Sequence, residues 1–336
     1  MRLQFILRRL IATAALMFAV VLFVFVFMRY IPGDPVDLIL GREGSVTDEQ
    51  IRLLRAQYRL DEPLWVQVTS FVGGVLRGDL GTSIVRNRPV AGLILERFPA
   101  TIELAAGGLA FALLVALPVG ITSALRQRSA VDRLAMASSF VGMSMPPFWL
   151  GIVLIMVFSV GLRWFPVAGR TAYGFEPTHT TGLYLFDAIW SRDPEAFREA
   201  LRHLILPSVT LGAVMAALIA RVMRSSMIEV LHEDYVRTAR AKGLQEAVVV
   251  LRHALRNAII PTLTLIGLEL GVLLGGNMIV ETVFEWPGIG RLVVEAIFAR
   301  DYPLVQGVVM VYALTFALAN LLVDVLYTIL NPRITT

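Results

Sequence analysis

Side chains able to do chemistry are few in this 336-residue chain, and what is missing narrows its function first. There is no cysteine, which excludes disulfides, iron–sulfur clusters, thiolate zinc sites and a cysteine nucleophile. The four histidines, His179, His203, His232 and His253, show no metal-ligand spacing. His232-Glu233 opens as a zincin helix does, but the second histidine of that motif would fall on Val236. The single lysine, Lys242, lies between Ala241 and Gly243, so the Gly-Lys-Ser/Thr end of a phosphate-binding loop is missing. These residues offer no catalytic set, no metal site and no cofactor of the chain's own. What remains is polar chemistry inside apolar runs. Glu269 lies in such a run, where a charged side chain costs about 2.5–3.5 kcal/mol on insertion scales. Either it faces a translocation path and meets a substrate amine, or it makes a polar contact between packed helices or stays a protonated carboxyl. Asn277, after Gly275-Gly276, and Met145 and Pro146, before Pro147, are further candidate path residues. Glycine-mediated helix packing and a simple proline bend are the alternatives there. Glu103 and Asp324 fall nearer the ends of apolar runs, where interfacial solvation accounts for them.

The elements that position these groups are membrane helices. The chain is 57% hydrophobic and 17% charged, with mean hydropathy +0.71, against about 45–50% and about 25% for soluble domains. A bilayer core takes about 20 mostly apolar residues as helix. Six segments qualify: residues 10–28, 104–125, 134–162 with Pro146-Pro147 near its middle, 204–220, 258–280 and 303–330. The first follows Arg2, Arg8 and Arg9 as a signal peptide would. It ends on Arg29-Tyr30-Ile31-Pro32-Gly33 rather than a small-x-small site, and so reads as an uncleaved helix. The net charge of +4 and pI near 9.7 do not mark a nucleic-acid binder, because the basic residues are sorted by membrane side. In the short loop after the second span, Arg126, Arg128 and Arg133 outweigh Asp132, which places both termini in the cytoplasm. On the outside lie a long polar segment, about 29–99, with an expected helix over 47–59 capped by Thr47, and a Gly/Pro/Thr-rich segment, about 163–202.

The one long cytoplasmic segment, about 221–257, has helical period. Leu244, Val248, Leu251 and Leu255 form an apolar stripe, and Tyr235, Ala239 and Gly243 share another face with small residues that permit close approach. Periodicity alone leaves two readings open. One is an amphipathic helix on the membrane surface, its arginines meeting anionic lipid. The other is a helix docked in a groove of a soluble partner.

The residues Asp234-Tyr235-Val236-Arg237-Thr238-Ala239-Arg240-Ala241-Lys242-Gly243-Leu244, with His253-Ala254-Leu255-Arg256-Asn257 and Pro261, resemble the cytoplasmic EAA loop of bacterial ABC-importer permeases. The likeness is to the dipeptide, oligopeptide and nickel branch. It extends through Phe5-Ile6-Leu7-Arg8-Arg9-Leu10, Ile31-Pro32-Gly33-Asp34-Pro35, Gly78-Asp79-Leu80-Gly81-Thr82-Ser83, Glu285-Trp286-Pro287-Gly288-Ile289-Gly290-Arg291, Arg300-Asp301-Tyr302-Pro303 and Asn331-Pro332-Arg333. One departure is that Arg237 stands where the motif glutamate belongs, with Glu233 and Asp234 the candidate substitutes. Another is that the spacing from Gly243 to Pro261 is longer than in the general motif.

The resemblance implies an all-α integral membrane protein with the type I ABC importer permease fold. It would have six transmembrane helices, a long N-terminal periplasmic segment and a cytoplasmic coupling helix. Residues 1–99 would form the first span and periplasmic segment, 100–331 a five-helix core with the coupling loop at 221–257, and 332–336 a tail. Glu233, Asp234, Tyr235, Arg237, Thr238, Ala239, Arg240, Lys242 and Gly243 would couple to ATPase subunits that bind ATP and magnesium. The implied partners are a homologous second permease, two such ATPases, a periplasmic or lipid-anchored substrate-binding protein and membrane lipid, with no nucleic acid. The expected location is the bacterial inner membrane and the expected cargo short peptides, carried by alternating access. The alternative is an ion-coupled secondary transporter without ATPase subunits. It needs mid-membrane coupling acids, and only Glu269 is well placed.

Overall fold

The structure, a computed structural model, describes residues 2–30, 52, 61–178 and 180–330, with side chains over 11–27, 52, 61–178 and 180–322. Outside the described residues lie the expected 47–59 helix (Arg52 apart), the Ile31–Pro35 and Asn331–Arg333 motifs, His179 and the 332–336 tail, as do the side chains of Asp324 and of the Phe5–Leu10 motif. The described residues are helical, with α1 over Arg2–Tyr30, α2 Leu64–Leu76, α3 Val90–Leu125, α4 Ala130–Ser144, α5 Pro147–Gly161 and α6 Tyr184–Trp190. Next come α7 over Pro194–Leu231, α8 Asp234–Ala241, α9 Glu246–Leu274, α10 Met278–Val283, α11 Ile289–Phe298 and α12 Tyr302–Leu330.

Among them α3, α7, α9 and α12 are long and apolar enough to cross a bilayer, and α4 with α5 makes a fifth crossing bent by 104°. The bend arises from the sequence. Pro147 starts α5, Pro146 has no N–H to give to α4, and Met145 before it is extended (φ −82°, ψ 125°), as residues preceding proline prefer. Two apolar segments differ from their sequence bounds. The run expected over 204–220 belongs to a helix that starts at Pro194, capped by the Asp193 carboxylate, and continues to Leu231. The run expected over 258–280 starts earlier, at Glu246, and stops at Leu274. Gly276 takes φ +85°, a left-handed conformation that glycine adopts without steric cost.

The centre is the crossing of α3 and α7, the latter having 72% of its apolar window buried. Gly108, Ala112, Ala116 and Gly120 recur every fourth residue on α3, and Gly212, Ala216 and Ala220 do so on α7. These rows lie face to face. A Cβ at Gly212 would collide with the Gly108 carbonyl and the Ala112 amide, and one at Gly120 would sit 2.8 Å from the Ala220 carbonyl oxygen. Small residues bring the two backbones together, so packing does here what hydrophobicity cannot do in lipid.

At the end of the bundle away from residues 221–257, polar clips fix the connecting segments. Glu103, expected at the solvated interface from its place in the sequence, is instead buried against Arg170. Its Oε2 lies 2.6 Å from the guanidinium, both side chains are 7% exposed, and the Leu185 amide donates to Oε1 at 2.7 Å. The Arg170 guanidinium stacks over Tyr184, 3.8 Å from the ring centroid. The signal for this clip was absent from the sequence because 67 residues separate its partners. Trp286, fully buried, donates its indole N–H to the Ala100 carbonyl at 2.7 Å. Glu281 and Thr101 cap α11 through the Arg291 and Ile289 amides, each at 2.9 Å. Burial pushes the Glu281 carboxyl up to about 7, against the opposing Arg291 and Gly290 amides and the Thr101 hydroxyl. Asp301 accepts from the Ser83 hydroxyl and the Ile84 amide, which joins the Gly78–Ser83 motif to the Arg300–Pro303 motif. Asp187 gathers the Thr181 amide (2.9 Å) and hydroxyl (2.7 Å) and the Gly182 amide (2.9 Å) around α6.

Two outcomes test these contacts. Gly212→Leu overpacks the α3–α7 crossing, where such changes cost about 1–3 kcal/mol or more, and should lower the yield and thermal stability of membrane-extracted protein. Gly73→Leu, with nothing within 4 Å of its Cβ position, should behave as wild type, and equal stability of the two variants would refute the close crossing. At Asp187, burial favours the neutral acid, but the Thr181, Gly182 and Thr180 donors outweigh it and hold the carboxyl below the usual range. Its stabilisation is therefore complete above the unfolded value of about 3.9 and fades as pH falls toward the folded one. Limited proteolysis of the 171–193 segment should increase below about pH 4. Asp187→Asn should be cleaved readily at neutral pH with little pH dependence, and an unchanged acid profile in that variant would contradict the assignment.

Candidate functional site

α8 carries residues 234–241 of the Asp234–Leu244 motif. Glu233 precedes it in extended conformation without a side-chain capping bond, Asp234 lies in its first turn and Arg240 in its last, the charge order that suits the helix dipole. Val236 and Ala239 are buried, whereas Asp234, Tyr235, Arg237, Thr238, Arg240 and Lys242 are exposed. The buried pair packs with Ala124 of α3, Met223 and Met227 of α7, and Val249, Val250, Ala254 and Ala258 of α9. The helix is thus seated on one end of α3, α7 and α9 and shows its charged side outward.

The structure redistributes the roles read from the sequence. Ala239, expected to share a partner-facing surface with Tyr235 and Gly243, belongs to the chain's own core. Gly243 acts through its backbone: it has φ +74°, and open space surrounds its Cβ position. It turns the chain out of α8 after Lys242 closes the helix on the Thr238 carbonyl. The stripe of Leu244, Val248, Leu251 and Leu255 is not the buried face, since Leu244 and Leu251 are exposed and Val249, Val250 and Ala254 are inside. Leu244 lies before α9 begins at Glu246, and within α9 a π-helical turn over Val249–Ala254 holds an extra residue and rotates the later part of the helix. The long spacing from Gly243 to Pro261 spans this turn.

The acids are also redistributed. Asp234 meets Arg237 at 3.4 Å with both side chains exposed, and Glu246, unmarked in the sequence, pairs with Arg240 at 2.7 Å. Asn257 of α9 donates to the Tyr235 hydroxyl at 2.7 Å, which ties the loop across its width. Thr238 donates to the Asp234 carbonyl at 2.9 Å. Nearby, Asp132 of α4 is held by Arg224 of α7 through Nε at 2.6 Å and Nη2 at 2.8 Å. The signal for Asp132 was legible, because Ser129-Ala130-Val131-Asp132 has the spacing of a helix-capping pair, and the Ser129 hydroxyl does accept the Asp132 amide.

The path candidates fall at separate places. Met145 and Pro146 form the bend between α4 and α5 and line an open apolar depression on the helix surface with Phe140, Val141, Phe148 and Trp149, whose side chains are exposed. Glu269 lies on α9 in the same helical row as Ala258, Thr262, Ile266 and Leu273. That row faces the bundle: Thr262 contacts Met223 at 3.5 Å, and Ile266 and Leu273 join the core of α3 and α7. Among the described residues the Glu269 carboxyl has no hydrogen-bond or ion-pair partner. Asn277 caps α10, its side-chain oxygen accepting the Val280 amide at 2.9 Å. The arrangement provides a charged surface on α8, packed on one end of the bundle, and a sharply bent span with an open apolar depression at its bend.

Comparison with known proteins gives the same picture. Residues 116–336 match the family described as binding-protein-dependent transport system inner membrane component, and residues 2–105 match its N-terminal membrane component. The chain is 46% identical over 332 residues to the di/tripeptide transport system permease protein DppB of Pseudomonas aeruginosa, with 99% of this chain and 98% of that protein aligned. It is 45% identical over 336 residues to the dipeptide transport system permease protein DppB of Escherichia coli, at the same coverage. The glutathione transport system permease protein GsiC of Salmonella typhimurium is 42% identical over 332 residues, with 99% of each chain aligned. Among solved structures, inward-facing conformations of the MetNI methionine ABC transporter match in fold, with TM-score 0.50 and 17% identity over 71% of this chain and 96% of that one. With the motif helix seated on a bundle of apolar helices, and with both halves of the sequence accounted for, this chain belongs to the family of binding-protein-dependent transport system inner membrane components.

Proposed function

We propose that this chain is the membrane-spanning permease subunit of an ATP-driven importer of di- and tripeptides in a bacterial inner membrane. The observation that carries the reading is α8, a helix charged on its exposed side and locked by Val236 and Ala239 to the ends of α3, α7 and α9. The near full-length likeness to two dipeptide permeases supports the cargo. ATP and magnesium belong to two cytoplasmic ATPase subunits. A homologous second permease completes the pore, and a periplasmic or lipid-anchored binding protein delivers the peptide. In this reading six spans cross the membrane, α1 the first of them. Both termini are cytoplasmic, residues 29–99 are largely periplasmic, 100–331 form the core, 221–257 the coupling loop and 332–336 the tail.

Mechanically, closure of the ATPase pair displaces α8, through Glu233, Asp234, Tyr235, Arg237, Thr238, Arg240 and Lys242 at the contact. The inner ends of α7 and α9 move with it because the buried cluster leaves no free joint. The path then opens outward, and hydrolysis resets it inward. Met145, Pro146 and Glu269 line that path in our reading, Glu269 offering a carboxylate to a peptide amine, with Asn277 near its outer end.

The test is the complete assembly in proteoliposomes, assayed for ATP-dependent uptake of a labelled dipeptide panel. Uptake without ATPase subunits, driven by an ion gradient, would overturn the proposal. Gly243→Val places a β-branched residue at φ +74°, which such residues avoid. It should leave membrane insertion intact and ATP hydrolysis measurable while uptake falls at least about tenfold, a loss of about 1.4 kcal/mol of effective coupling. Wild-type uptake by Gly243→Val would remove the coupling role from this loop.

A further inference from the structure

The row of α7 that seats α8 also grips the broken span. Met223 and Met227 of α7 are fully buried against Val236, Ala239 and the start of α9. Between them, Arg224 reaches to α4 and binds Asp132 bidentately. Asp132 is 4% exposed and also accepts from the Ser123 hydroxyl of α3 and from the Arg128 amide at 2.9 Å. Four donors on one carboxylate fix the inner end of α4 in orientation as well as position, since a planar guanidinium fork constrains both. Two more contacts continue the row outward. Arg221 of α7 lies over the Phe140 ring of α4 at 5.9 Å from its centroid, and a Cβ at Gly142 would meet the Ala217 methyl at 3.6 Å. Phe140 lines the open depression at the Met145–Pro146 bend.

We propose that Asp132 and Arg224 are positioning residues for transport. They bind α4 to the stretch of α7 that carries the coupling helix, so that displacement of α8 moves the bent span and reshapes the depression at its bend. This rests on the permease reading above. The connection between α3 and α4 is only the four residues 126–129, and near it the clamp is the strong polar tie from α4 to α7. A salt bridge suits this place because it fixes direction, whereas an apolar contact would let α4 slide.

The experiment uses the full assembly in proteoliposomes with a dipeptide that the wild type transports. Uptake and ATP hydrolysis are measured together for Asp132→Asn, Arg224→Lys and the double variant Asp132→Cys/Arg224→Cys, made in a chain that has no cysteine of its own. Asp132→Asn should assemble and hydrolyse ATP while peptide carried per ATP falls at least tenfold. Arg224→Lys, which keeps the charge and loses the fork, should fall less. The double cysteine variant should be uncoupled, and a short bifunctional thiol reagent joining the two positions should restore transport. Wild-type peptide per ATP in Asp132→Asn overturns the proposal, as does no recovery after joining. Loss of the assembled complex in both single variants also overturns it, because the clamp would then serve stability alone. Failure of the wild-type assembly to carry any peptide with ATP would instead strike the permease reading.

Discussion

An eight-residue helix has no stability of its own in water, so α8 exists because Val236 and Ala239 are buried among Met223, Met227, Val249, Val250 and Ala254. Burying a valine side chain contributes about 1.5–3 kcal/mol, enough to hold two turns of helix whose other surface is charged. The same burial makes the element mechanically useful. A helix that touched its own spans only through flexible chain would absorb a push instead of passing it on.

The body behind α8 combines two kinds of contact. Along α3 and α7, rows of glycine and alanine let backbones touch, and such packing has few alternative arrangements. Around the bent α4–α5 span the contacts are polar and local: the Asp132–Arg224 pair inside, and beyond it a proline break and an open depression. At the opposite end of the bundle Arg170, Trp286, Glu281 and Asp301 clip loops to span ends. The close α3–α7 crossing, the polar clips and the one broken span are the three features that set how the helices are held.

Much of this was legible in the sequence. Apolar runs located α3, α7, α9 and α12, Pro146-Pro147 located the break, and the Asp234–Leu244 motif located α8 and the family. Three things were not. Helix ends overran the apolar runs because capping by Asp193 and the polar first turns of α7 and α9 add residues that hydropathy does not see. The buried face of the loop differs from the apolar stripe of Leu244, Val248, Leu251 and Leu255, because Leu244 precedes α9 and a π-helical turn shifts the positions after Val248. Paired charges such as Glu103–Arg170 and Asp132–Arg224 are 67 and 92 residues apart, so nothing local announces them. The alternating small residues of α3 and α7 were present in the sequence, and only their juxtaposition gives them meaning.

The central claim is that α8 and the inner ends of α7 and α9 move as one body. It is tested most directly by spin labels at Thr238 on α8 and Ala247 on α9, both exposed, in the reconstituted assembly. Distances are measured without nucleotide and with the ATPase subunits trapped closed. The intrachain Thr238–Ala247 distance should stay the same in the two states while the distance between Thr238 and a label on the second permease changes. A shift of Thr238 relative to Ala247 on closure, with the spans unmoved, would contradict the account.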